Sequence, residues 1–187
     1  MAALEELAFV VIGRNEGDRL EACLRSVRAV SDRVVYADSA STDGSPERAR
    51  SLGAIVVELD ASAPLNAARG RNAGLDAVRA HFPDARFVQF LDGDCVLQPN
   101  WVTVALEFLE SHPRAAVACG RRFEAYPGAS FYNRLADEEW NTPVGRVEAC
   151  GGDAMMRIAA LTDVGGFNPE LMASDQGDHA TRSSMRR

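Results

Sequence analysis

Short apolar runs separated by amphipathic stretches govern what this chain can become. Leu7 to Ile12 is apolar throughout, the mark of a strand covered on both faces. Val34 to Ala37, Ile55 to Leu59, Phe87 to Leu91 and Ala115 to Cys119 repeat the pattern. Between them, Leu20, Cys23, Leu24 and Val27 recur at helical spacing. Ser45-Pro46 supplies a helix start, with Ser as N-cap and Pro at the first position, and Gly53 stops that helix. Asn66 to His81 and Pro99 to Ser111 read as two further helices, each closed by a proline shortly beyond. Strands alternating with crossover helices predict an α/β fold. The sheet is mostly parallel and Rossmann-like, flanked by helices in a single domain. The alternation stops at Gly120. Phe123 to Pro143 is aromatic and mixed in charge, and Val144 to Met156 is Gly-rich. These segments read as the other half of a cleft.

Composition excludes several chemistries. All 20 basic residues are arginine, so there is no lysine Schiff base, phosphate-loop lysine or lysine general base. With 27 acidic residues the net charge is −7, which argues against a nucleic-acid partner. The apolar runs are five to six residues, too short to span a bilayer as a helix. The N-terminus has no basic segment followed by an apolar one, so no secretory signal is expected and a cytoplasmic location is. Cys23, Cys95, Cys119 and Cys150 are widely spaced, with no C-x-x-C pair. They read as reduced thiols rather than a zinc site.

In an open α/β sheet, ligands bind outside the carboxyl ends of the strands. Here those ends are polar. Gly13-Arg14-Asn15-Glu16 follows the first strand, Asp38-Ser39 the second and Asp92-Gly93-Asp94 the fourth. An acidic β-turn would account for the last of these. So would a divalent cation, since Mg²⁺ and Mn²⁺ take one or two carboxylates and fill their other positions with phosphate oxygens. Asp38 lies in a run of turn residues and has a turn-forming reading too. Arg69 and Arg71 fall at a predicted helix start, where anions bind, or are solvated surface cations. Cys95 reads as a packed side chain. Phe131, Tyr132 and Trp140 either stack on a sugar or, more plainly, belong to the core or its cover.

Taken together these segments resemble the inverting family 2 glycosyltransferases of GT-A fold. The matching pieces are Val10 to Glu16, Cys23 to Val27, Asp38 to Ser45 and Ala68 to Gly74. Phe90 to Asp94, Gly151 to Arg157 and Val164 to Pro169 continue the order. The resemblance implies a UDP- or GDP-linked sugar donor, with Glu16 and Asp38 on the nucleoside and Arg71 on the donor. It implies Asp92 at the ribose or sugar, and Asp94 with Asp92 holding Mg²⁺ or Mn²⁺. Gly151, Gly152 and Asp153 would line the donor sugar and the acceptor, which is a saccharide, a lipid or a small molecule. Residues 1–119 would form the nucleotide-sugar half, 120–173 the acceptor side and 174–187 an irregular or truncated tail. Peripheral association with the inner face of a membrane is compatible with this.

One departure concerns the catalytic base. Where the family carries an acidic pair, this chain has Asp175-Gln176, followed by Asp178. Asp175 is the expected base, since glutamine cannot take the acceptor's proton. The alternative is a non-catalytic or truncated GT-A domain that binds nucleotide sugar or a partner without turnover. A nucleotidyltransferase would need a catalytic lysine. A nicotinamide enzyme would need G-x-G-x-x-G, which Gly13 and Gly17 do not make.

Overall fold

The computed structural model describes residues 2–141, 144–147 and 152–170. A short helix, α1 (Ala2–Glu5), precedes the alternating part. The order is then β1 (Leu7–Gly13), α2 (Asp18–Arg28), β2 (Val34–Asp38), α3 (Ser45–Ser51), β3 (Ile55–Glu58) and α4 (Ala67–His81). It continues with β4 (Phe87–Asp92), α5 (Trp101–Ser111), β5 (Val117–Cys119), α6 (Phe131–Glu139), β6 (Ala154–Arg157) and α7 (Ile158–Asp163).

The six strands form one sheet in the order β3-β2-β1-β4-β6-β5. From β3 to β4 all neighbours are parallel, while β6 runs antiparallel to both β4 and β5. The fifth predicted strand therefore does not lie beside the fourth. β6 is inserted between them, and the sheet is mixed on that side. The reason it escapes sequence reading is composition. Ala-Met-Met-Arg carries no β-branched or aromatic residue to mark a strand.

Because side chains alternate across a strand, β1 supplies two cores. Leu7, Phe9 and Val11 face one side with Leu20, Leu24 and Val27 of α2 and Val102, Leu106 and Leu109 of α5. Ala8, Val10 and Ile12 face the other with Leu75 and Val78 of α4, Leu161 of α7 and Phe167. Gly74 is what lets α4 come so near. A Cβ placed there would run into the side chain of Val10. One polar group is built into the core: Gln89 of β4 accepts from Trp101 Nε1 at 2.7 Å and donates to the Phe90 carbonyl at 2.7 Å.

The start of α3 differs by one residue from its prediction. Ser45 is the first helical residue, and Gly44 occupies the cap with φ of 80°. The side-chain acceptor is Asp43, whose Oδ1 takes the Ser45 N–H at 3.0 Å and its hydroxyl at 2.6 Å. A carboxylate there satisfies an orphan donor and also favours the positive end of the helix.

Candidate functional site

The chain runs outward from β1 to β2 and β3, then crosses back to place β4 on the other side of β1. That reversal opens a crevice at the carboxyl ends of β1 and β4, where ligands of such sheets bind. Register brings the polar residues level: Gly13 pairs with Asp38 and Ile12 with Asp92. Gly93 N–H donates to the Ile12 carbonyl at 2.7 Å, extending the ladder into Asp92-Gly93-Asp94.

Glu16 lies across this edge. Its Cγ would be 3.0 Å from a Cβ on Gly13 and 3.1 Å from one on Gly93, so both positions need the space that glycine leaves. Arg19 Nη2 stands 2.8 Å from Glu16 Oε2, off the line of a hydrogen bond, and that buried oxygen has no hydrogen-bond partner among the described residues.

Asp38 is turned inward at 1% exposure. Its Oδ1 accepts from the Tyr36 hydroxyl at 2.9 Å and the Ser41 hydroxyl at 2.5 Å, and its Oδ2 from the Ser41 N–H at 2.8 Å. A carboxylate offers about four acceptor sites, so three local donors leave roughly one. Burial, and then the hydrogen bond to Asp38, push the Tyr36 hydroxyl above the usual tyrosine range. The loops after β1 and β2 are also tied together. Asn15 N–H reaches Ser41 Oγ at 2.9 Å, Thr42 N–H reaches Asn15 Oδ1 at 2.7 Å, and Gly17 N–H reaches Asp43 Oδ2 at 3.0 Å. Asn15 and Ala40 both adopt left-handed backbone, with φ of 56° and 59°. For alanine that conformation costs energy, and strain of this kind gathers at functional loops.

Arg71 enters the crevice from the second turn of α4. Its Nη2 donates to Asp92 Oδ1 at 3.0 Å, and its guanidinium carbon lies 5.8 Å from the centre of the Phe167 ring. Gly152 closes over this pair. A Cβ there would meet the guanidinium of Arg71 and sit 3.0 Å from Asp92 Oδ2. Arg69, by contrast, turns back to donate to the carbonyls of Ala63 and Pro64, at 2.9 and 3.3 Å, and is taken out of the site. Asp94 is exposed at the mouth.

Asp153 lies beneath them, largely buried, with Arg122 Nε 3.0 Å from its Oδ2. Neither of its oxygens has a hydrogen-bond partner among the described residues. Burial, and then the charge of Asp92, push its carboxyl up to about 6 against the pull of Arg122. Burial also lifts the Cys23 thiol to about 12 and raises that of Cys95, with nearby carboxylates adding to both. Neither is a ready thiolate nucleophile.

Two residues outside the sequence prediction fasten the far wall. Asn72 donates to the Phe167 carbonyl at 2.8 Å and accepts its N–H at 2.9 Å. Asn66 caps α4 through the Arg69 N–H at 2.9 Å and holds the Pro169 carbonyl at 2.9 Å. Asparagine as an N-cap was readable in the sequence; its second, long-range bond was not. Gly151 and Asp175 lie outside the described residues. A groove of about 270 Å³ on the outer side of α4 is lined by Asn72, Leu75, Asp76, Arg79, Thr162, Gly165 and Gly166. It holds none of the strand-end carboxylates.

The edge thus gathers Glu16, Asp38, Asp92, Asp94 and Asp153 around Arg71 and Arg122. The layout is that of the GT-A fold. The profile of glycosyl transferase family 2 matches residues 8–158, and the chain belongs to that family. In structure it is similar to a mannosyltransferase of Pyrobaculum calidifontis in complex with GDP-Man and Mn²⁺. The two are 22% identical with a TM-score of 0.63, over 95% of this chain and 50% of that one. It is also similar to TarS of S. aureus, at 18% identity and a TM-score of 0.68, over 95% of this chain and 32% of the other. In sequence it is 28% identical over 142 residues to a TPR repeat-containing protein of Synechococcus elongatus, covering 76% of this chain and 33% of that protein. The chain therefore spans half or less of the length of these relatives. No helix among its described residues is long and apolar enough to cross a membrane.

Proposed function

We propose that the protein transfers a sugar, with inversion, from a UDP- or GDP-linked donor to a hydroxyl of an acceptor. The observation that carries this reading is the level placing of Gly13, Asp38 and Asp92 at the switch point, with Arg71 bonded to Asp92. Sequence identity to the P. calidifontis enzyme is too low to carry the donor across. That protein's GDP-Man and Mn²⁺ nevertheless agree in class with the site.

Glu16 and Asp38 would border the nucleoside, Asp38 chiefly by fixing the Ser39–Asp43 loop. Arg71 would hold the diphosphate end, and Gly152 with Asp153 would border the transferred sugar. The donor set also fits a metal. Asp94 and Asp92 are hard oxygen ligands at the mouth, and Asp153, ion-paired with Arg122, lies in the same crevice. Among the described residues no group of three or more His, Cys, Asp or Glu could enclose an ion. Mg²⁺ or Mn²⁺ bound there supplies positive charge against the leaving diphosphate.

In the transfer the acceptor oxygen attacks the anomeric carbon from the face opposite the diphosphate. The new C–O bond forms as the old one breaks, and that electron pair leaves with the nucleoside diphosphate. The acceptor's proton passes to a carboxylate, for which we assign Asp175. The reaction would take place on the cytoplasmic side, at the inner membrane face where the acceptor is lipid-linked.

Turnover is tested by nucleoside-diphosphate release from a panel of UDP- and GDP-sugars with Mn²⁺ and mixed acceptors. Release should be acceptor-dependent, with Asp175→Asn lowering it at least a hundredfold. Binding of donor with no release over any acceptor would instead favour a non-catalytic domain, the reading that Gln176 invites.

A further inference from the structure

Tyr36 is wholly buried in β2, two residues before Asp38 and therefore on the same face of the strand. Its ring packs into the core that holds Phe9, Leu20 and Leu24. Phenylalanine would serve that packing, so the hydroxyl needs a reason of its own. It donates to Asp38 Oδ1 at 2.9 Å and lies 3.4 Å from where a Cβ on Gly13 would stand. The hydroxyl thus sits just beneath the edge at which β1 and β2 end.

Asp38 is as inaccessible as Tyr36, and neutral donors hold it rather than a cation. A carboxylate so placed has lost its hydration and depends on those donors. Its main chain is already fixed on both sides. Ser39 N–H donates to the Gly13 carbonyl and Leu59 N–H to the Asp38 carbonyl, each at 2.9 Å. Only the side chain is left to be set. Two of its three donors come from Ser41, inside the loop that Asp38 itself holds. Tyr36 alone brings a donor from the core. Ser41 Oγ, which donates to Asp38, in turn accepts the Asn15 N–H at 2.9 Å. A chain of hydrogen bonds therefore runs from the core through Asp38 and Ser41 to Asn15, across both loops. Ala40 lies inside it with φ of 59°. Backbone strained in this way persists only where its surroundings fix it.

On the nucleotide reading of the crevice, on which this rests, we infer that the Tyr36 hydroxyl is a positioning group for the nucleoside end. It touches no ligand. By holding Asp38 it keeps the Ser39–Asp43 loop and Asn15 in the form that takes a nucleoside. Its influence is local to that end. β1 separates β2 from β4, so Asp92 and Arg71 stand about two strand spacings away, ~10 Å.

The test is isothermal titration of the full chain with UDP, GDP and inorganic pyrophosphate, each with Mn²⁺. Tyr36→Phe should weaken the nucleotide that the wild type binds at least tenfold and leave pyrophosphate within twofold. The pyrophosphate arm separates positioning from damage to the fold, which would weaken both ligands together. A double-mutant cycle with Asp38→Ala gives the route. Asp38→Ala should itself cost at least tenfold, and adding Tyr36→Phe to it should change nucleotide affinity less than twofold, because the hydroxyl then has no carboxylate to hold. Unchanged nucleotide affinity in Tyr36→Phe overturns the inference. So does an equal loss for pyrophosphate, or a full further loss in the double variant. If the wild type binds nucleotide and Tyr36→Phe binds it as well, this inference falls alone. If the wild type binds no nucleotide, the nucleotide reading falls and takes this inference with it.

Discussion

At the scale of single residues, the site is a set of carboxylates sorted by surroundings. Asp94 is exposed, Asp92 has Arg71, Asp38 has three local donors, and Asp153 is largely buried beside Arg122. The carboxyl of Asp153 moves up, from the ordinary 3.8 to about 6. Between those values the folded protein keeps a proton that the unfolded chain has released. Stability therefore falls as pH rises from about 4 to about 6 and levels off above. At about 1.4 kcal/mol per pH unit the loss is at most ~3 kcal/mol. In the absence of divalent cation, Asp153→Asn should raise the melting temperature at pH 7.5 and leave it unchanged near pH 4. Equal effects at both pH values in thermal unfolding would show that the carboxyl is not held up by its burial.

Among the elements, α4 does most to place the site, because it carries Asn66, Arg71 and Asn72 and packs on the central strand through Gly74. Gly74→Ala tests that packing. Helix propensity alone would favour alanine by about 1 kcal/mol. The new methyl, however, has to displace Val10, a β-branched residue fixed in the middle of β1, and overpacking of that kind costs about 1–3 kcal/mol. A net loss of ~1–2 kcal/mol in urea unfolding is expected; a gain would mean that α4 can move off β1 freely. The same elements show what was legible beforehand. β1, β2, β4, α4 and α5 are long, apolar and periodic, and the sequence predicts them within a residue or two. α6 and β6 escaped for opposite reasons. α6 carries Phe131, Tyr132, Leu135 and Ala136 at helical spacing but buries none of them, while β6 is buried yet built from alanine and methionine. Of the two plainer readings of Phe131 and Tyr132, core or cover, their exposure removes the first.

For the whole molecule, topology turns separate motifs into one crevice. Glu16, Asp38 and Asp92 were readable as candidates because each follows an apolar run, and strand order with register then brings them to one edge. Arg122 and the pinning role of Asn72 were not readable, since their partners lie 31 and 95 residues away in the chain, at Asp153 and Phe167. The family is settled by residues 8–158, whereas the donor, the base and the acceptor are proposals about a chain that spans half or less of its relatives. We propose that the strand-end crevice binds a nucleotide sugar through a cation held at Asp94 and Asp92. Isothermal titration of UDP- and GDP-sugars, with and without Mn²⁺, measures this directly. At least one donor should bind, weakening at least tenfold when Mn²⁺ is withheld, and equally in Asp94→Asn with Mn²⁺ present. Donor binding that ignores both the cation and the substitution, or none at all, would contradict it.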